Sequence, residues 1–424
     1  MNASQVQVCP PDIDGAWGAL LPRPFGSTLP CAARPLGLRR LSALWTGLAA
    51  ACLAGIASNL PAAEAGAEAS RWTAEKAQAW AGAHPQPVGC NYIPAYAVNQ
   101  LEMWQAETFD LPSIDRELGW AEGLGFNSVR VFLHDLAWRQ DPAGFLDRMD
   151  QFLAAASRHR ISVLFVIFDG VWNPQPHAGP QPAPIPGVHN SQWVQSPGVA
   201  ILTNASTHGE LEAYVKSVLS RFRNDSRICG WDLFNEPNNG NARSYAAEET
   251  PYKEWYSLIL LHEVFHWARQ IDPAQPLTAG VWRGPWDPKD TGISPVVRFE
   301  LDNSDVISFH CYEPLETLQT WVGPLQKMGR PIWCTEYMAR PKGSRFQTIL
   351  PYLRQQGMGA FCWGFVAGRS QTRFAWSTWK TPQQGEPPEW FHDILKTDGA
   401  PYNAEEVRFI RDLLQASPAG EQVH

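Results

Sequence analysis

Clustered basic residues and glycine-rich phosphate loops are both missing from this chain of 424 residues. Its formal net charge is −8, and Lys and Arg form no block outside the N-terminal region. Binding to DNA or RNA depends on cations that neutralise phosphates, so we expect no nucleic-acid partner. No loop resembles the glycine-rich turns that hold nucleotide phosphates, which removes that class of site.

Cysteine is scarce, and its spacing excludes the common metal-binding patterns. Beyond residue 63 no two cysteines form a C-x-x-C pair, and each lies in or beside an apolar run: Cys90, Cys229, Cys311, Cys334 and Cys362. Such positions suit small buried hydrophobic side chains. We therefore predict no metal site, no cofactor and no essential disulfide.

The N-terminal region has the composition of a secretion signal. Arg39 and Arg40 precede the apolar run 41–60, and small residues at 63–65 offer a cleavage site. The run contains Ser and Asn, so a permanent membrane span is the weaker interpretation. We expect an exported protein, periplasmic or extracellular, with lipid attachment at Cys52 as the alternative.

Beyond this region, short apolar runs alternate with amphipathic stretches. Eight runs rich in β-branched and aromatic residues indicate strands at 88–92, 128–132, 161–168, 228–234, 277–282, 306–310, 331–335 and 359–365. Helical spacing of apolar residues occurs at 144–158, 210–222, 255–269, 315–327, 345–356 and 404–414. This alternation predicts one (β/α)8 barrel, a TIM barrel. A doubly wound open sheet is the alternative. That fold usually has a glycine-rich turn after its first strand, and the sequence at 89–92, Gly-Cys-Asn-Tyr, is not one.

Domain boundaries follow from the same patterns. We predict an N-terminal lead and secretion signal over 1–63, an extension over 64–87, one catalytic barrel over 88–415 and a tail over 416–424. We expect a monomer with no stable membrane span after cleavage.

Tryptophan is the compositional outlier, with 20 residues. Part of them belongs to a core, and the rest suit a surface that stacks flat ligands, sugar rings above all. A Pro-rich insert at 170–200 and the segments 282–290 and 374–379 carry Trp after strands three, five and eight. We predict that these segments form aromatic walls of one substrate cleft.

Two glutamates close predicted strands on opposite sides of the barrel. Strand four ends in Asn235 and Glu236, and Pro237 then stops it because proline cannot donate a ladder hydrogen bond. Strand seven ends in Glu336. Paired carboxylates that face one cleft suit glycoside cleavage. One carboxyl is protonated to assist the leaving oxygen, and the other is ionised to attack the sugar or activate a water.

Other strand ends supply the surroundings for this pair. Arg130 on strand two and Tyr312 after strand six can hold a carboxylate in its ionised form. His310 shares a face with Tyr312 by strand alternation. Asn235 can bond a sugar hydroxyl, and Trp363 comes from strand eight.

Together these strand ends resemble clan A glycoside hydrolases, and family 5, the cellulase and mannanase family, is the nearest match over residues 88–415. The resemblance implies that Glu236 is the acid/base and Glu336 the nucleophile of a retaining mechanism. It implies a substrate-binding set made of Asn235, Arg130, His310, Tyr312 and Trp363. The implied substrate is a β-linked polysaccharide or oligosaccharide, such as β-1,4-mannan, glucan or xylan.

Several alternatives stay open. Glu313 is the competing nucleophile, Glu336 could be a structural acid paired with Arg340, and Asp169 is interpreted as solvated or capping. For the whole protein, a carbohydrate-binding barrel without catalysis and a transglycosylase are the rival functions. A Schiff-base aldolase is excluded because no predicted strand carries a lysine.

Overall fold

The computed structural model describes residues 70–416. The predicted secretion signal at 41–60, its cleavage site at 63–65, Cys52 and the tail beyond residue 416 lie outside the described residues. Within the described range, no helix combines the length and the apolar character that crossing a membrane requires.

Strands form at all eight predicted places: β1 Val88–Asn91, β2 Ser128–Phe132, β3 Ser162–Asp169, β4 Ile228–Asn235, β5 Leu277–Thr278, β6 Ile307–His310, β7 Ile332–Tyr337 and β8 Gly359–Cys362. Twelve α-helices accompany them within residues 70–416: α1 Ala74–Gly82, α2 Gln100–Trp104, α3 Leu111–Leu124, α4 Asp135–Gln140, α5 Pro142–Arg158, α6 Val199–Leu202, α7 His208–Phe222, α8 Lys253–Ile271, α9 Pro295–Asn303, α10 Leu315–Gln326, α11 Phe346–Gln355 and α12 Ala404–Gln415. The six predicted helical stretches correspond to α5, α7, α8, α10, α11 and α12.

The strands are parallel and follow the order β5-β4-β3-β2-β1-β8-β7-β6. Because β1 pairs with both β2 and β8, the sheet wraps round and brings β5 and β6 to its two free edges. A bridge between Val281 and Phe309 nearly closes this gap, and Val281 N donates to Ser308 O at 3.0 Å. The predicted (β/α)8 barrel is confirmed. Strand β5 is shorter than predicted, because regular pairing ends at Thr278 and resumes only at Val281.

Helix α5 shows why the amphipathic stretches become helices packed on the barrel. Asp141 caps its first turn by accepting from Gly144 N at 3.0 Å, and Pro142 fits the first helical position. Phe145 and Phe152 on its inner face are completely buried. Burying each ring stabilises the fold by about 1.5–3 kcal/mol, which docks this face on the sheet.

The barrel's N-terminal end is closed by the segment that precedes β1. Trp80 on α1 packs against Trp333 with ring centres 6.1 Å apart. Trp333 belongs to a buried cluster with Leu164 and Phe361. Trp72 N also donates to Asp305 Oδ1 at 2.8 Å. The opposite end, where the strands terminate in polar residues, is left open for a site.

Cysteines of the described range are free thiols. Four of the five are buried and Cys229 is half-buried. Burial raises the pKa of the Cys311 thiol to about 11, so this side chain stays protonated and behaves as a small apolar group.

Candidate active site

A cavity of about 400 Å³ opens at the C-terminal ends of the strands. Six of the predicted site residues line it: Asn235, Glu236, His310, Tyr312, Glu336 and Trp363. Arg130 lies beneath them, completely buried. The structure therefore brings the predicted residues together. Arg130 contacts the carboxylate layer, which consists of Glu236, Glu336 and Asp232, from below.

Arg130 uses both ends of its guanidinium to organise the floor of the cavity. Nη1 donates to Asn91 Oδ1 and Glu336 Oε1, both at 2.8 Å. Nη2 donates to Asn235 Oδ1 at 2.7 Å and to Asp232 Oδ2 at 2.8 Å. Burial alone would lower the pKa of Arg130, but the charges of Asp232 and Glu336 outweigh it and raise that pKa. This buried cation is thus permanently charged and fixed by planar hydrogen bonds.

Glu336 closes β7 and is held at both oxygens. Arg130 binds Oε1, and the Tyr312 hydroxyl donates to Oε2 at 2.6 Å. Burial raises the pKa of Glu336 above its ordinary value, while the charge of Arg130 and the hydrogen bond from Tyr312 act in the opposite direction. Two charge-assisted donors aimed at one carboxylate favour its ionised form and fix its orientation.

Glu236 ends β4 in a conformation that side chains rarely adopt, with φ of 41°. Holding such a residue in the left-handed region costs on the order of 1–3 kcal/mol. The neighbouring β3 end accommodates it through Gly170, where an added Cβ would lie only 2.4 Å from the Glu236 carbonyl oxygen. Backbone strain here turns the Glu236 side chain into the cavity.

The Glu236 carboxyl is nearly enclosed, with 8% of the residue exposed. Asn239 Nδ2 donates to Oε2 at 2.6 Å, and His310 Nδ1 lies 2.7 Å from Oε1. Burial raises the pKa of Glu236 to about 7. Near neutral pH this group therefore exchanges a proton readily, as a general acid and base must.

His310 stands between the two glutamates. Its Nδ1 is 3.5 Å from Glu336 Oε2, in addition to the contact with Glu236. Burial lowers the pKa of His310 to about 4, so the imidazole is neutral at pH 7. A neutral ring with a proton on Nδ1 donates to Glu236 Oε1, which leaves Oε2 to carry the acid's own proton.

The same three side chains form a candidate metal-ligand set. One oxygen each of Glu236 and Glu336 and one ring nitrogen of His310 lie within 4.8 Å of one another. These donors could hold a cation, but Arg130 already supplies one at 2.8 Å from Glu336. The same three residues can equally be described as two close carboxyl groups, Glu236 and Glu336, with His310 between them.

Asp169, at the end of β3, corrects one expectation. We predicted a solvated or capping residue. Its Oδ1 does accept from Val171 N at 3.1 Å, as a local cap does, but only 1% of the residue is exposed and it lines the cavity. Its Oδ1 accepts from Asn235 Nδ2 at 2.9 Å, and its Oδ2 accepts from Trp193 Nε1 at 2.7 Å. Burial raises its pKa to about 6. Asp169 and Asn235 are paired in the register of β3 and β4, which explains their hydrogen bond. Because both residues end neighbouring strands, their positions in the sequence could have predicted that Asp169 belongs to the site.

Asp232 was missed altogether. It lies inside β4 and binds Arg130 through Oδ2. A charged residue within an otherwise apolar strand was the signal that could have indicated its role. A completely buried carboxylate needs a cationic partner, so such a residue predicts an ion pair inside the barrel.

The residues considered as rivals lie elsewhere. Glu313 forms an ion pair with Lys342 at the cavity wall. Arg340 pairs with Glu406, behind the barrel mouth, and not with Glu336. Neither arrangement replaces Glu336 as the carboxylate opposite Glu236.

Aromatic side chains from three segments form walls of the cavity. Trp193 comes from the insert after β3, Trp282 follows β5, and Trp376 follows β8. Trp363 packs edge-to-face on Trp193 with ring centres 5.8 Å apart. Trp286, which we expected in the same wall, is completely buried in the core instead.

Comparisons with known proteins agree with this geometry. A family model described as Cellulase (glycosyl hydrolase family 5) matches residues 121–381, more than half of the chain. No curated protein matches the sequence.

Solved structures share the fold at low sequence identity. An exo-beta-1,4-mannosidase from Opitutaceae bacterium strain TAV5 has a TM-score of 0.52 and 17% identity, covering 78% of this chain and 59% of that chain. A GH5_18 protein from Streptomyces cattleya, solved in complex with Manb1-4GlcNAc, has a TM-score of 0.52 and 13% identity, covering 79% and 82%. A GH5_18 protein from Bifidobacterium longum has a TM-score of 0.50 and 15% identity, covering 77% and 78%. At these identities the likeness establishes the barrel.

Proposed function

Since the chain belongs to glycosyl hydrolase family 5 and is therefore a glycoside hydrolase, we propose that it cleaves a β-linked oligosaccharide or polysaccharide by a retaining double displacement. Glu336 acts as the nucleophile and Glu236 as the acid/base. Asn235, His310, Tyr312 and Trp363 surround the reacting sugar.

The separation of the two glutamates carries this proposal. One carboxyl oxygen of Glu236 and one of Glu336 lie within 4.8 Å of each other. Retaining glycosidases place their two carboxyls about 5–5.5 Å apart, whereas inverting enzymes need about 6.5–9.5 Å to admit a water between carboxyl and sugar. The spacing here supports direct attack by one carboxylate on the anomeric carbon.

The surroundings of each glutamate support the division of roles. Glu336 receives donors from Arg130 and Tyr312, which stabilise a negative charge on the attacking oxygen. Glu236 has a pKa raised to about 7 and faces a neutral His310, so it holds a proton that it can give to the leaving oxygen. After the glycosyl-enzyme forms on Glu336, the ionised Glu236 removes a proton from water, which then releases the sugar.

The choice of substrates to test follows the names of solved structures that share the fold. The solved structures of TM-score 0.50 or above include one named as a β-1,4-mannosidase and one with bound Manb1-4GlcNAc. β-Mannosides are therefore the first substrates to test, followed by β-glucan and xylan. We also propose that the protein is exported and that its mature form begins near Glu64.

Reducing-sugar release by the chain from Glu64 tests the proposal. β-Mannan, β-glucan, xylan and the matching nitrophenyl glycosides would be compared, with Glu236→Gln, Glu336→Gln and Glu313→Gln assayed in parallel. We expect hydrolysis of one β-linked substrate, its loss in the first two variants, and a β-anomer as the first product by NMR.

Each rival function predicts a different result. Activity that survives in Glu336→Gln and disappears in Glu313→Gln would move the nucleophile to Glu313. An α-anomer as the first product would exclude retention. Binding without hydrolysis would favour a carbohydrate-binding barrel, and longer products at high oligosaccharide concentration would favour a transglycosylase.

A further inference from the structure

Basic side chains gather at the cavity of a protein whose net charge is −8. Arg243, Arg283 and Lys342 all line it. Lys342 pairs with Glu313. Within residues 70–416, Arg243 and Arg283 have no hydrogen bond or ion pair and are held through their contacts with tryptophan rings. Neither arginine therefore forms a direct ion pair, although the charge of Arg283 acts on Glu236.

Arg243 and Lys342 converge on one indole. The guanidinium carbon of Arg243 lies 5.3 Å from the centre of the Trp376 ring, and Lys342 Nζ lies 5.6 Å from it. The two cations come from different loops, one after β4 and one after β7. Glu313 neutralises Lys342, whereas no ion pair of the described residues neutralises Arg243. Arg243 is therefore the cation at this ring that is left for an anion of the substrate.

This cationic corner, made of Arg243, Lys342 and Trp376, adjoins the nucleophile side of the cavity. Trp376 packs edge-on against Tyr312 with ring centres 5.0 Å apart. Tyr312 in turn donates to Glu336 at 2.6 Å. A sugar on the Glu336 side of the cleaved bond therefore lies next to the corner.

The chemistry of the corner suits an anion attached to a sugar. A guanidinium stacked on an aromatic face keeps its N–H groups free at the edge, where they can bind a carboxylate or sulfate through two parallel hydrogen bonds. The indole offers a face for the sugar ring that carries the anion.

We propose that the substrate is an acidic glycan, with a carboxylate or sulfate group on a sugar that binds at the corner of Arg243, Lys342 and Trp376. This inference rests on the proposed glycosidase function and narrows its substrate class. The carboxylate case is a uronosyl unit, and the sulfate case is a 6-O-sulfated unit.

Arg283, the other cation without an ion pair, lies near Glu236. It lies over Trp282, whose Nε1 donates to Asn238 Oδ1 at 2.7 Å, two residues beyond Glu236. Its charge also acts to lower the pKa of Glu236. A change at Arg283 would mix proton transfer with binding, so the test uses Arg243 and Lys342.

Calorimetric titration provides the test. β-1,4-Mannotetraose and cellotetraose would each be prepared neutral, oxidised at C6 to carboxylates, and 6-O-sulfated. All forms are titrated into Glu336→Gln, which prevents turnover, and into the same protein carrying Arg243→Gln and Lys342→Gln. Arg408→Gln, on the exposed face of α12, is the control for loss of a positive charge away from the cavity.

We expect at least one acidic tetraose to bind about tenfold more tightly than its neutral form, as for a charge-assisted bidentate contact. The preference should disappear in the double variant, persist in Arg408→Gln and weaken as NaCl is raised. Comparing the carboxylate and sulfate arms identifies the anion.

Three results would overturn the inference. These are equal or tighter binding of the neutral tetraoses, an acidic preference that survives in the double variant, and no binding of any tetraose. Hydrolysis of a neutral tetraose by the unsubstituted protein separates the two proposals, because it would uphold the glycosidase even where the acidic preference fails.

Discussion

Replacing Glu236 with glutamine should stabilise the folded protein at alkaline pH while abolishing hydrolysis. Burial raises the pKa of Glu236 from 4.5 to about 7, so the folded state resists its ionisation. The unfolded chain loses this proton near the ordinary value for a glutamate. Below pH 4.5 the burial of Glu236 therefore does not reduce the stability of the fold. The stability falls as pH rises from 4.5 to 7, and above pH 7 the loss is complete.

The size of the effect follows from the pKa difference. One pKa unit corresponds to 1.36 kcal/mol, so the ionised side chain costs roughly 3 kcal/mol above pH 7. Glutamine carries no charge and keeps the shape of the side chain. Its oxygen can accept from Asn239 Nδ2, and its amide can donate to His310 Nδ1 once the ring proton moves to Nε2. Relative to the unsubstituted protein, the free energy of unfolding of Glu236→Gln should be higher by about 3 kcal/mol at pH 8.5 and by less than about 1 kcal/mol at pH 5.

Urea unfolding followed by tryptophan fluorescence at the two pH values measures this difference. Glu107→Gln, on an exposed loop, is the control for removing a carboxylate from the surface. An equal change at both pH values, or a loss of stability at pH 8.5, would refute the reasoning that burial penalises the Glu236 charge.

Three further predictions concern the carboxylate layer. The pH profile of kcat/KM should be bell-shaped, with its alkaline limb near pH 7 from Glu236; a profile flat from pH 6 to 9 would argue against this acid. Tyr312→Phe removes a donor from Glu336, so kcat/KM should fall about 10- to 100-fold and the acidic limb should move to higher pH, because the hydroxyl acts to lower the Glu336 pKa. Arg130→Met leaves Asp232 and Glu336 without their buried cation, and calorimetry should show a loss of about 3–5 kcal/mol; a change below 1 kcal/mol would contradict the network.

The barrel was predictable because its signals are local. Alternation of apolar runs with helical spacing is contained within segments of a few to about twenty residues, and all eight strands formed where it occurred. Helix α3 was missed because Gly119 and Gly123 weaken its propensity. Its end signals were present, since Asp110 caps it by accepting from Ser113 N and Gly125 ends it with φ of 88°.

The candidate site was predictable where strand ends determine it. Glu236 and Glu336 close strands on opposite sides of a barrel, and the strand pattern alone brings such positions to one mouth. Asp169 and Asp232 were misread or missed because their meaning depends on partners far away in sequence. Asp232 binds Arg130, 102 residues distant, and a buried charge is only explained once its partner is found.

Strand order and side-chain alternation were enough to predict the barrel and to bring the two glutamates and the polar residues near them to one end of it, because these signals do not depend on distant contacts. The difference between the two glutamates, in contrast, depends on the folded arrangement. A pKa depends on burial and on neighbouring charges, and Arg130 reaches Glu336 across 206 residues of chain. The cationic corner of Arg243, Lys342 and Trp376 likewise exists only where three separate loops meet.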